Sequence, residues 1–465
     1  MSRALLIRDV EIDGRAALDV RIARGRITEI GAGLRGGEAD LDGGGGALIP
    51  GLIDHHIHLF GLAAQAASAQ LASAASASAI ATVLRDKATG LAPGEWLRGV
   101  GYHEGGGELL DRWALDAMVG DRPARVQHRT GGLWVLNSAA LERVAGPDAP
   151  ACVERDAGGV LTGRIIRGDD WLRTRLDDAA PSLAAVSAGL ARAGVTGVTD
   201  ASVTNDQDQA SVFAGSIASG AWRQRLMLMS GGPLSAPAGD AWRVGPVKVL
   251  LDDHALPGLD SVIDTVIRAH GWNRAVAVHC VTAGELAFAL AAFSAAGAAT
   301  GDRIEHGGVI HPAAIGEIAC LGLTVVTQPA FVAERGDRYL EEVEAADIAA
   351  LYPCASLLAA GVRVAASSDA PYAAPDPWAA MAAAVARTTR GGRLLGGDER
   401  VSPETALGMF LGAFDDPGGP PRRVAVGQAA DLCLLSRPLE PALARLEASN
   451  VAATIVGGEV IYGAG

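Results

Sequence analysis

Short apolar segments alternate with alanine-rich segments of helical periodicity through the middle of the chain, from Gly51 to about Ser402. Strands that alternate with helices in this way form parallel sheets through crossover connections, and eight such strands close a (β/α)8 barrel. The pattern therefore predicts a TIM barrel, whose strand candidates in chain order are GLIDHH, GVTGVTDA, QRLMLMS, PVKVLLDD, AVAVHC, DRIEH, GLTVVTQP and VRVAASSDA.

The two ends of the chain have a different pattern, in which apolar and polar residues alternate in short runs, as in ALLIRDVEI near the start. The last stretch resumes it with ADLCLLSRP and VAATIVGGEVIYG, where Gly457 and Gly458 indicate a two-residue hairpin. We expect residues 1–50 and 403–465 to form one composite β-sandwich domain around a barrel at 51–402.

A long gap separates the first two barrel strands, from about Leu59 to Ala193. Such a length requires secondary structure of its own, so we predict an inserted subdomain within residues 59–193 that covers the barrel mouth. The predicted fold class is therefore α/β: a (β/α)8 TIM barrel, a small β-sandwich domain formed by both chain termini, and a subdomain inserted after the first barrel strand.

Composition narrows the class of protein. Of the 465 residues, 49% are hydrophobic and 20% are charged, which excludes wholesale disorder. The net charge of −14 argues against nucleic acid or an anionic membrane as a partner, and leaves a small-molecule substrate as the expected one. The oligomeric state stays open, a homo-oligomer included.

Cysteine usage indicates a cytoplasmic protein. The five cysteines are an odd number, lie far apart and form no CxxC pair, which is typical of a reducing compartment. The N-terminus has no apolar h-region of a secretory signal. The uncharged stretch at residues 59–84 is rich in Ala, Ser, Gln and Gly and too weakly apolar for a convincing membrane span.

Histidines and an aspartate occur where the predicted strands end. His56 and His58 are two residues apart in DHHIH, so in a strand both rings lie on one face. His279, His306 and Asp369 end the fifth, sixth and eighth segments, at the rim where barrel active sites are built. One such residue alone is better read as a surface histidine or a helix N-cap. Their joint placement predicts a catalytic divalent-metal site of the zinc type.

Lys248 stands inside the fourth apolar segment, and the chain has only one other lysine, Lys87. A structural interpretation pairs Lys248 with Asp252 or Asp253, or extends its amine to solvent. The functional interpretation is a carbamate that bridges two metals, which requires a primary amine that loses its proton when desolvated; an arginine cannot do this. The scarcity of lysine in a chain rich in arginine favours the functional interpretation.

Taken together, these segments resemble the amidohydrolase superfamily, and in particular its amidohydrolase family 3 branch of N-substituted formamide deformylase-like metal-dependent hydrolases. The similarity extends along nearly the whole chain in matching order. The segments that carry it are PGLIDHHIHLF, VLNSAALERVAG, GVLTGRI, AGVTGVTDAS, VKVLLDD, VAVHC, DRIEHGGVI, TQPAF, SSDAPYAAPDPW and GQAADLCLL.

The resemblance implies a binuclear metal centre. His56 and His58 would hold one metal, and His279 and His306 the second, with carbamylated Lys248 as the bridge. Asp369 would bind the first metal and the bridging hydroxide, act as general base and then protonate the leaving nitrogen. Two metals about 3.5–4 Å apart acidify a shared water and polarise a carbonyl. Zinc is the expected metal, with iron or manganese as alternatives because first-row metals share such ligands.

Three departures from the family pattern leave the predicted metal ligands in place. Because of them, no specific substrate of the family is carried over to this chain. His279 is followed by Cys-Val-Thr-Ala where many members have Ala-x-Gly-Asp; Asp253 and His254 follow Asp252 where Asp-Gly is usual; and His55 replaces a small residue. In the inserted subdomain we predict four substrate-binding residues: His103, Arg129, Trp134 and Arg164. Core packing of Trp134 and a surface ion pair of Arg164 are the structural alternatives.

The leading functional hypothesis is a metal-dependent hydrolase that cleaves a non-peptide, amide-type C–N bond of a small molecule through a metal-activated bridging hydroxide. One alternative is a mononuclear deaminase of an aminated heterocycle. Such enzymes carry a glutamate three residues after the fifth-strand histidine, whereas position 282 is Thr and Glu285 is farther along. The other alternative is a catalytically inactive barrel that serves as a binding protein.

Overall fold

The structure is a computed structural model that describes residues 4–36, 39–104, 109–146, 148–176, 180–237 and 239–463. The strands are β1 (Leu5–Ile12), β2 (Arg15–Ala23), β3 (Arg26–Gly31), β4 (Ala39–Asp42), β5 (Leu48–Pro50), β6 (Leu52–Ile57), β7 (Ala69–Gln70), β8 (Leu97–Tyr102), β9 (Ala124–His128), β10 (Leu133–Leu136), β11 (Val153–Arg155), β12 (Leu161–Ile166), β13 (Val195–Asp200), β14 (Arg225–Ser230), β15 (Arg243–Val249), β16 (Val276–Cys280), β17 (Arg303–His306), β18 (Thr324–Thr327), β19 (Arg363–Ala366), β20 (Leu432–Leu435), β21 (Val451–Val456) and β22 (Glu459–Tyr462).

Helices occupy much of the remaining chain. They are α1 (Leu59–Ala67), α2 (Ala77–Ala88), α3 (Arg112–Val119), α4 (Ser138–Val144), α5 (Asp169–Arg173), α6 (Ala184–Arg192), α7 (Gln207–Ala218), α8 (Leu259–Gly271), α9 (Ala283–Ala296), α10 (Pro312–Cys320), α11 (Ala330–Glu342), α12 (Ala345–Ile348), α13 (Cys354–Ala359), α14 (Pro377–Ala386), α15 (Pro403–Gly408) and α16 (Leu439–Leu443). Two short 3-10 helices lie at Gly397–Glu399 and Ala448–Asn450. None of the helices in the described ranges is long and apolar enough to cross a membrane.

Eight parallel strands form the barrel predicted from the sequence. Their order is β6, β13, β14, β15, β16, β17, β18, β19, and each pairs with its neighbour in parallel. Backbone bonds from Asp369 N–H to His56 O (2.8 Å) and from His58 N–H to Ala370 O (2.8 Å) join the two ends of the sheet. The fold class is α/β with a (β/α)8 TIM barrel, as predicted.

The barrel strands are short and apolar because both faces are covered. Every residue of β6, β13, β17 and β18 is buried, which is typical of parallel strands between a packed interior and surrounding helices. The sequence pattern predicts a helix after every barrel strand, and this prediction is wrong at one place. The described part of the β14–β15 connection holds no helix. Pro233 and Pro237 lie in this segment, and proline lacks the N–H that a helix interior requires.

The two chain termini build two four-stranded sheets with a common apolar core. One sheet has the order β3, β2, β1, β4, and the other the order β22, β21, β20, β5. Ile7 and Val20 of the first sheet and Leu432 and Ile455 of the second belong to one cluster of buried side chains. The hairpin between β21 and β22 turns at Gly457 and Gly458, both with positive φ.

Phe60–Pro181 forms a compact unit of its own, and the barrel and terminal sheets belong to the other unit. This smaller unit contains a six-stranded sheet of order β11, β12, β10, β9, β8, β7. One core cluster includes Leu84, Leu115 and Val126, and a second includes Trp134 and Leu141. The unit therefore has apolar cores independent of the barrel interior.

Candidate metal centre

All six predicted metal ligands lie at the carboxyl ends of barrel strands. His56 is in β6 and His58 follows it, Lys248 is the penultimate residue of β15, and His279 is the penultimate residue of β16. His306 ends β17 and Asp369 follows β19 by three residues. Because parallel strands end at one rim of the barrel, the sheet order brings these residues to the same face.

His56, His58 and Asp369 form a compact group. Asp369 Oδ1 lies 3.5 Å from His56 Nε2 and 3.3 Å from His58 Nε2. One ligand atom from each of the three residues lies within 4.8 Å of the others. Two imidazole nitrogens and one carboxylate oxygen at this spacing are a ligand set that first-row divalent metals accept.

His279 and His306 continue the group around the rim. The ring centroids of His279 and His306 are 4.4 Å apart, and those of His306 and His56 are 4.8 Å apart. His306 Nδ1 also lies 3.8 Å from Asp369 Oδ2. Four histidines and one aspartate from the ends of four strands are therefore joined by direct contacts.

Lys248 is buried among these groups, with 4% of its surface exposed. Burial lowers the pKa of the amine, while the charges of Glu305 and Asp369 act in the opposite direction. Its Nζ is inaccessible to solvent and has no hydrogen-bond partner among the described residues. It neither reaches solvent nor bonds to Asp252 or Asp253, the two structural interpretations that the sequence left open.

Two of the candidate ligands have left-handed backbone conformations. The φ angle is 69° at His306 and 53° at Asp369, a region that costs a side-chain-bearing residue energy and persists where surrounding contacts impose it. At Asp369 the backbone N–H donates to His56 O. The preceding Ser368 donates its N–H and hydroxyl to the buried carboxylate of Asp54. Burial raises the pKa of Asp54 to about 6, against these hydrogen bonds.

Three histidines have a polar partner at Nδ1 that the sequence did not reveal. His56 Nδ1 bonds to Glu305 Oε2, His306 Nδ1 lies 2.8 Å from Gln328 Oε1, and His58 Nδ1 lies 3.0 Å from Ser202 Oγ. The oxygens of Glu305 and Gln328 accept from Nδ1–H, which fixes the tautomers of His56 and His306 and leaves their Nε2 atoms for a metal. The partners come from β17, from the residue after β18 and from the loop after β13.

Glu305 connects the site to a buried arginine. Both Glu305 and Arg303 are almost fully buried, and Arg303 Nε donates to Glu305 Oε1. Arg303 also donates from an NH2 group to His55 O at 3.0 Å. The sequence signal for this pair is the segment DRIEH, in which Arg303 and Glu305 are two residues apart and His306 ends the strand. The partner of the Glu305 carboxylate, His56, lies 249 residues away in sequence.

Three of the candidate ligand histidines, His56, His279 and His306, have a lowered pKa that favours the neutral form that metals bind. Burial lowers the pKa of His279 to about 4, with a further contribution from Lys248. Burial, followed by nearby cationic groups, holds the pKa values of His56 and His306 well below the ordinary value. Near neutral pH these rings therefore offer lone pairs without first releasing a proton.

The chemistry of the donor set fits a divalent metal. His56 Nε2, Lys248 Nζ and Asp369 Oδ1 are buried and have no hydrogen-bond partner among the described residues. Buried polar atoms without partners are costly and rare in a native fold. Three of them converge on one rim, where a metal ion would satisfy the histidine and aspartate atoms directly.

Glu285 is the acidic residue that bears on the deaminase alternative, and its side chain caps the start of a helix. Thr282 and Glu285 form the capping box of α9, and Glu285 Oε2 accepts from the backbone N–H of Val281 at 2.6 Å and Thr282 at 3.2 Å. Its side chain is buried in this role. The carboxylate nearest after His279 in sequence is thus committed to backbone donors.

The four predicted substrate-binding residues all lie in the Phe60–Pro181 unit. Trp134 is 6% exposed and donates from Nε1 to Asp169 Oδ1 at 2.7 Å. The guanidinium of Arg164 donates to Leu109 O and Leu110 O, both at 2.8 Å, and pairs with Glu154.

His103 and Arg129 belong to the same unit. His103 Nε2 lies 3.2 Å from Ala72 O, and Arg129 is exposed. A role for these four residues in substrate binding stays a prediction.

Comparison with known proteins agrees with the fold. The family model described as the amidohydrolase family matches residues 40–462. The chain belongs to the amidohydrolase family. It is an enzyme, an amidohydrolase acting on carbon–nitrogen bonds other than peptide bonds, and the alternative of an inactive binding barrel is set aside.

Individual relatives of this amidohydrolase are similar to it along almost its entire length. An N-substituted formamide deformylase from Arthrobacter pascens is 26% identical, covering 98% of this chain and 97% of the relative. A solved metal-dependent hydrolase from Pyrococcus horikoshii OT3 has a TM-score of 0.76 at 18% identity, covering 99% of this chain and 100% of that one. Another, from Pyrococcus furiosus, has a TM-score of 0.74 at 19% identity, covering 92% and 97%. The two structural similarities concern the fold.

Proposed function

We propose that this amidohydrolase cleaves a non-peptide, amide-type C–N bond of a small molecule at a binuclear metal centre. The observation that carries the proposal is the convergence of unpartnered, buried ligand atoms of His56, Lys248 and Asp369 beside three further histidines. The formamide deformylase relative supports an amide as the substrate class.

The ligands divide into two groups around a shared lysine. His56, His58 and Asp369 would hold the first ion, and His279 and His306 the second, with carbamylated Lys248 between them. Bound there, divalent ions acidify a shared water and polarise the scissile carbonyl. Zinc is our first choice, with iron or manganese as alternatives.

Lys248 has the chemistry that a carbamate needs. In its neutral form the Nζ lone pair attacks the carbon of CO2, one N–C bond forms, and one N–H proton leaves to solvent or base. The product has two oxygens and one negative charge, as two cations would require. The burial that lowers the pKa of Lys248 favours the neutral amine that starts this reaction.

Asp369 is the proton carrier in this proposal. Its Oδ1 is buried and lies within 3.5 Å of two ligand histidines. A carboxylate in this position accepts the proton of the attacking water as general base and then donates it to the leaving nitrogen. The leaving amine departs neutral, and the carboxylate returns to its ionised form.

Metal content and turnover together test the proposal. Purified protein is loaded with zinc, its metal is counted, and it is screened against N-formyl, N-acyl and cyclic amides with and without a chelator. We expect about two ions per chain and chelator-sensitive hydrolysis of a member of the panel. A stoichiometry of about one would favour the mononuclear deaminase alternative. Unchanged turnover after complete metal removal would overturn the proposal.

We propose that the enzyme acts in the cytoplasm, on a small molecule and without nucleic acid or membrane as a partner. All five cysteines are free, which suits a reducing compartment. The net charge of −14 disfavours polyanions. Fractionation of cells that express the protein checks the compartment, and light scattering checks for a homo-oligomer.

A further inference from the structure

Three loops that follow ligand-bearing strands carry an exposed apolar side chain. Leu250 lies two residues after the lysine of β15, Val281 two residues after the histidine of β16, and Tyr372 three residues after the aspartate that follows β19. These residues are 56%, 38% and 60% exposed, respectively. Single exposed apolar residues are common on proteins, but these three share the rim that bears the candidate metal ligands.

Tyr372 is the best positioned of the three. Its ring meets the ring of His58 edge to face, with centroids 5.8 Å apart and an interplanar angle of 90°. Its backbone N–H donates to Asp369 O at 2.8 Å, and its carbonyl accepts from Arg335 at 2.7 Å. The backbone is thus held on both sides, and the aromatic ring stands beside a candidate ligand.

This position determines what a substrate would meet. His58 Nε2 lies 3.3 Å from Asp369 Oδ1, and in the function proposed above the reacting carbonyl approaches this pair. A substituent attached to that carbonyl or nitrogen then extends past the ring of Tyr372. Aromatic rings offer a large apolar contact area at low conformational cost.

The surroundings of Tyr372 do not favour an anionic substituent. The guanidinium of Arg335 lies 4.0 Å from the centroid of the Phe331 ring and also donates to the Tyr372 carbonyl. An ionised carboxylate placed against the Tyr372 ring would lose hydration, and the Arg335 cation already has contacts within the protein.

We propose that the part of this rim beside Tyr372 is the subsite for the non-reacting substituent of the substrate and that it takes an uncharged apolar group, alkyl or aryl, with Tyr372 as the specificity-determining residue. The inference rests on the function proposed above and narrows it. The substrate class is a neutral amide with an apolar substituent, as distinct from an amide whose substituent ends in a carboxylate.

A pair of metal-binding probes tests this without requiring turnover. Hexanohydroxamate and the monohydroxamate of adipic acid have the same chain length and the same metal-binding group, but the second ends in a carboxylate. Calorimetric titration of the zinc-loaded protein measures both dissociation constants. We expect hexanohydroxamate to bind about tenfold more tightly, the scale of discrimination that an apolar pocket provides.

Variants assign this preference to the ring. Tyr372→Ala should lose about tenfold in affinity for hexanohydroxamate and change little for the adipic probe, whereas Tyr372→Phe should keep the preference. Trp272→Ala, at an aromatic side chain that is 43% exposed at the end of α8, is the control and should leave both affinities unchanged.

The outcomes separate this inference from the function on which it rests. A zinc-loaded protein that binds both probes equally, prefers the adipic probe or binds neither overturns the inference and leaves the metal centre standing. Equal losses for both probes in Tyr372→Ala would remove Tyr372 as the specificity-determining residue. A protein that binds no zinc overturns the metal centre, and the inference with it.

Discussion

His56 Nδ1 is hydrogen-bonded to the carboxylate of Glu305, a residue on β17 that is fully buried inside the barrel. The second carboxylate oxygen of Glu305 accepts from Arg303. The contact fixes the tautomer of His56, keeps Nε2 directed at Asp369 and makes the ring a stronger donor to a metal. In the proposed binuclear centre Glu305 would therefore support the first metal site, although it is adjacent in sequence to His306, a proposed ligand of the second.

Glu305→Gln should weaken zinc binding at the first site. The amide can still accept from His56, but it no longer carries the charge that increases the basicity of the ring. We expect the zinc affinity to fall about 10–100-fold, the usual effect of losing such a partner. Chelator competition measures it.

Two further variants interpret that result. Glu317→Gln, at an exposed position of α10, should leave zinc affinity unchanged. Because loss of the charge also leaves Arg303 without its buried partner, thermal unfolding is measured in parallel, and Glu305→Asp retains the charge at a shorter reach. A folded Glu305→Gln protein with wild-type zinc affinity would contradict the assignment.

The barrel could be predicted from the sequence because it depends on local periodicity, and the same periodicity located the six candidate ligands at strand ends. All eight strand candidates are barrel strands, and each ligand lies at a strand end. The supporting contacts of Glu305, Gln328 and Ser202 could not be predicted, because they join strands that are distant in sequence. Their geometry depends on barrel closure, and that of the His306–Gln328 contact also on the positive φ of His306, which a run of residue types does not encode.

Replacement of Lys248 separates a carbamate from a simple buried cation. Lys248→Arg keeps a positive charge but cannot form the carbamate, so we expect bound metal and activity to be lost while the barrel remains folded. Circular dichroism, metal analysis and turnover measure the three properties. The chain offers a matched control in its other lysine, because Lys87→Arg should change none of them. Full activity of Lys248→Arg would end the carbamate proposal.

Asp369→Asn should retain metal better than it retains turnover. The amide keeps one oxygen donor beside His56 and His58 but cannot accept a proton, so we expect kcat to fall about 10²–10⁴-fold. Zinc content and kcat, measured on the same sample, give the comparison. Asp398→Asn, at an exposed site, controls for the chemical change. Wild-type turnover in Asp369→Asn would contradict its role as proton carrier.

His55 should make the metal-free protein sensitive to acid. Neither ring nitrogen has a partner among the described residues, and burial, followed by the charges of Arg303 and Arg422, lowers the pKa of His55 to about 3. The unfolded chain keeps a pKa of about 6.5 and so binds the proton first as the pH falls. Stability is therefore present above about pH 6.5 and is lost progressively towards pH 3.

His55→Leu should reduce this sensitivity. Between those pH values one proton contributes up to about 1.4 kcal/mol per pH unit to the free energy of unfolding, and leucine removes that contribution. Urea unfolding of both metal-free proteins at several pH values measures the difference, and the remaining histidines contribute equally to both. Identical pH profiles would show that His55 is solvated or paired.

Arg129 and Arg164 should respond differently to removal. The guanidinium of Arg164 is held by Leu109 O, Leu110 O and Glu154, so Arg164→Ala should lower the melting temperature of the protein. Arg129 is exposed, so Arg129→Ala should leave the melting temperature unchanged. If Arg129 binds substrate, the same variant raises KM at constant kcat for the best amide of the panel. An unchanged KM would remove Arg129 from the substrate-binding residues, and a raised KM with an unchanged melting temperature in Arg164→Ala would assign Arg164 to the substrate instead.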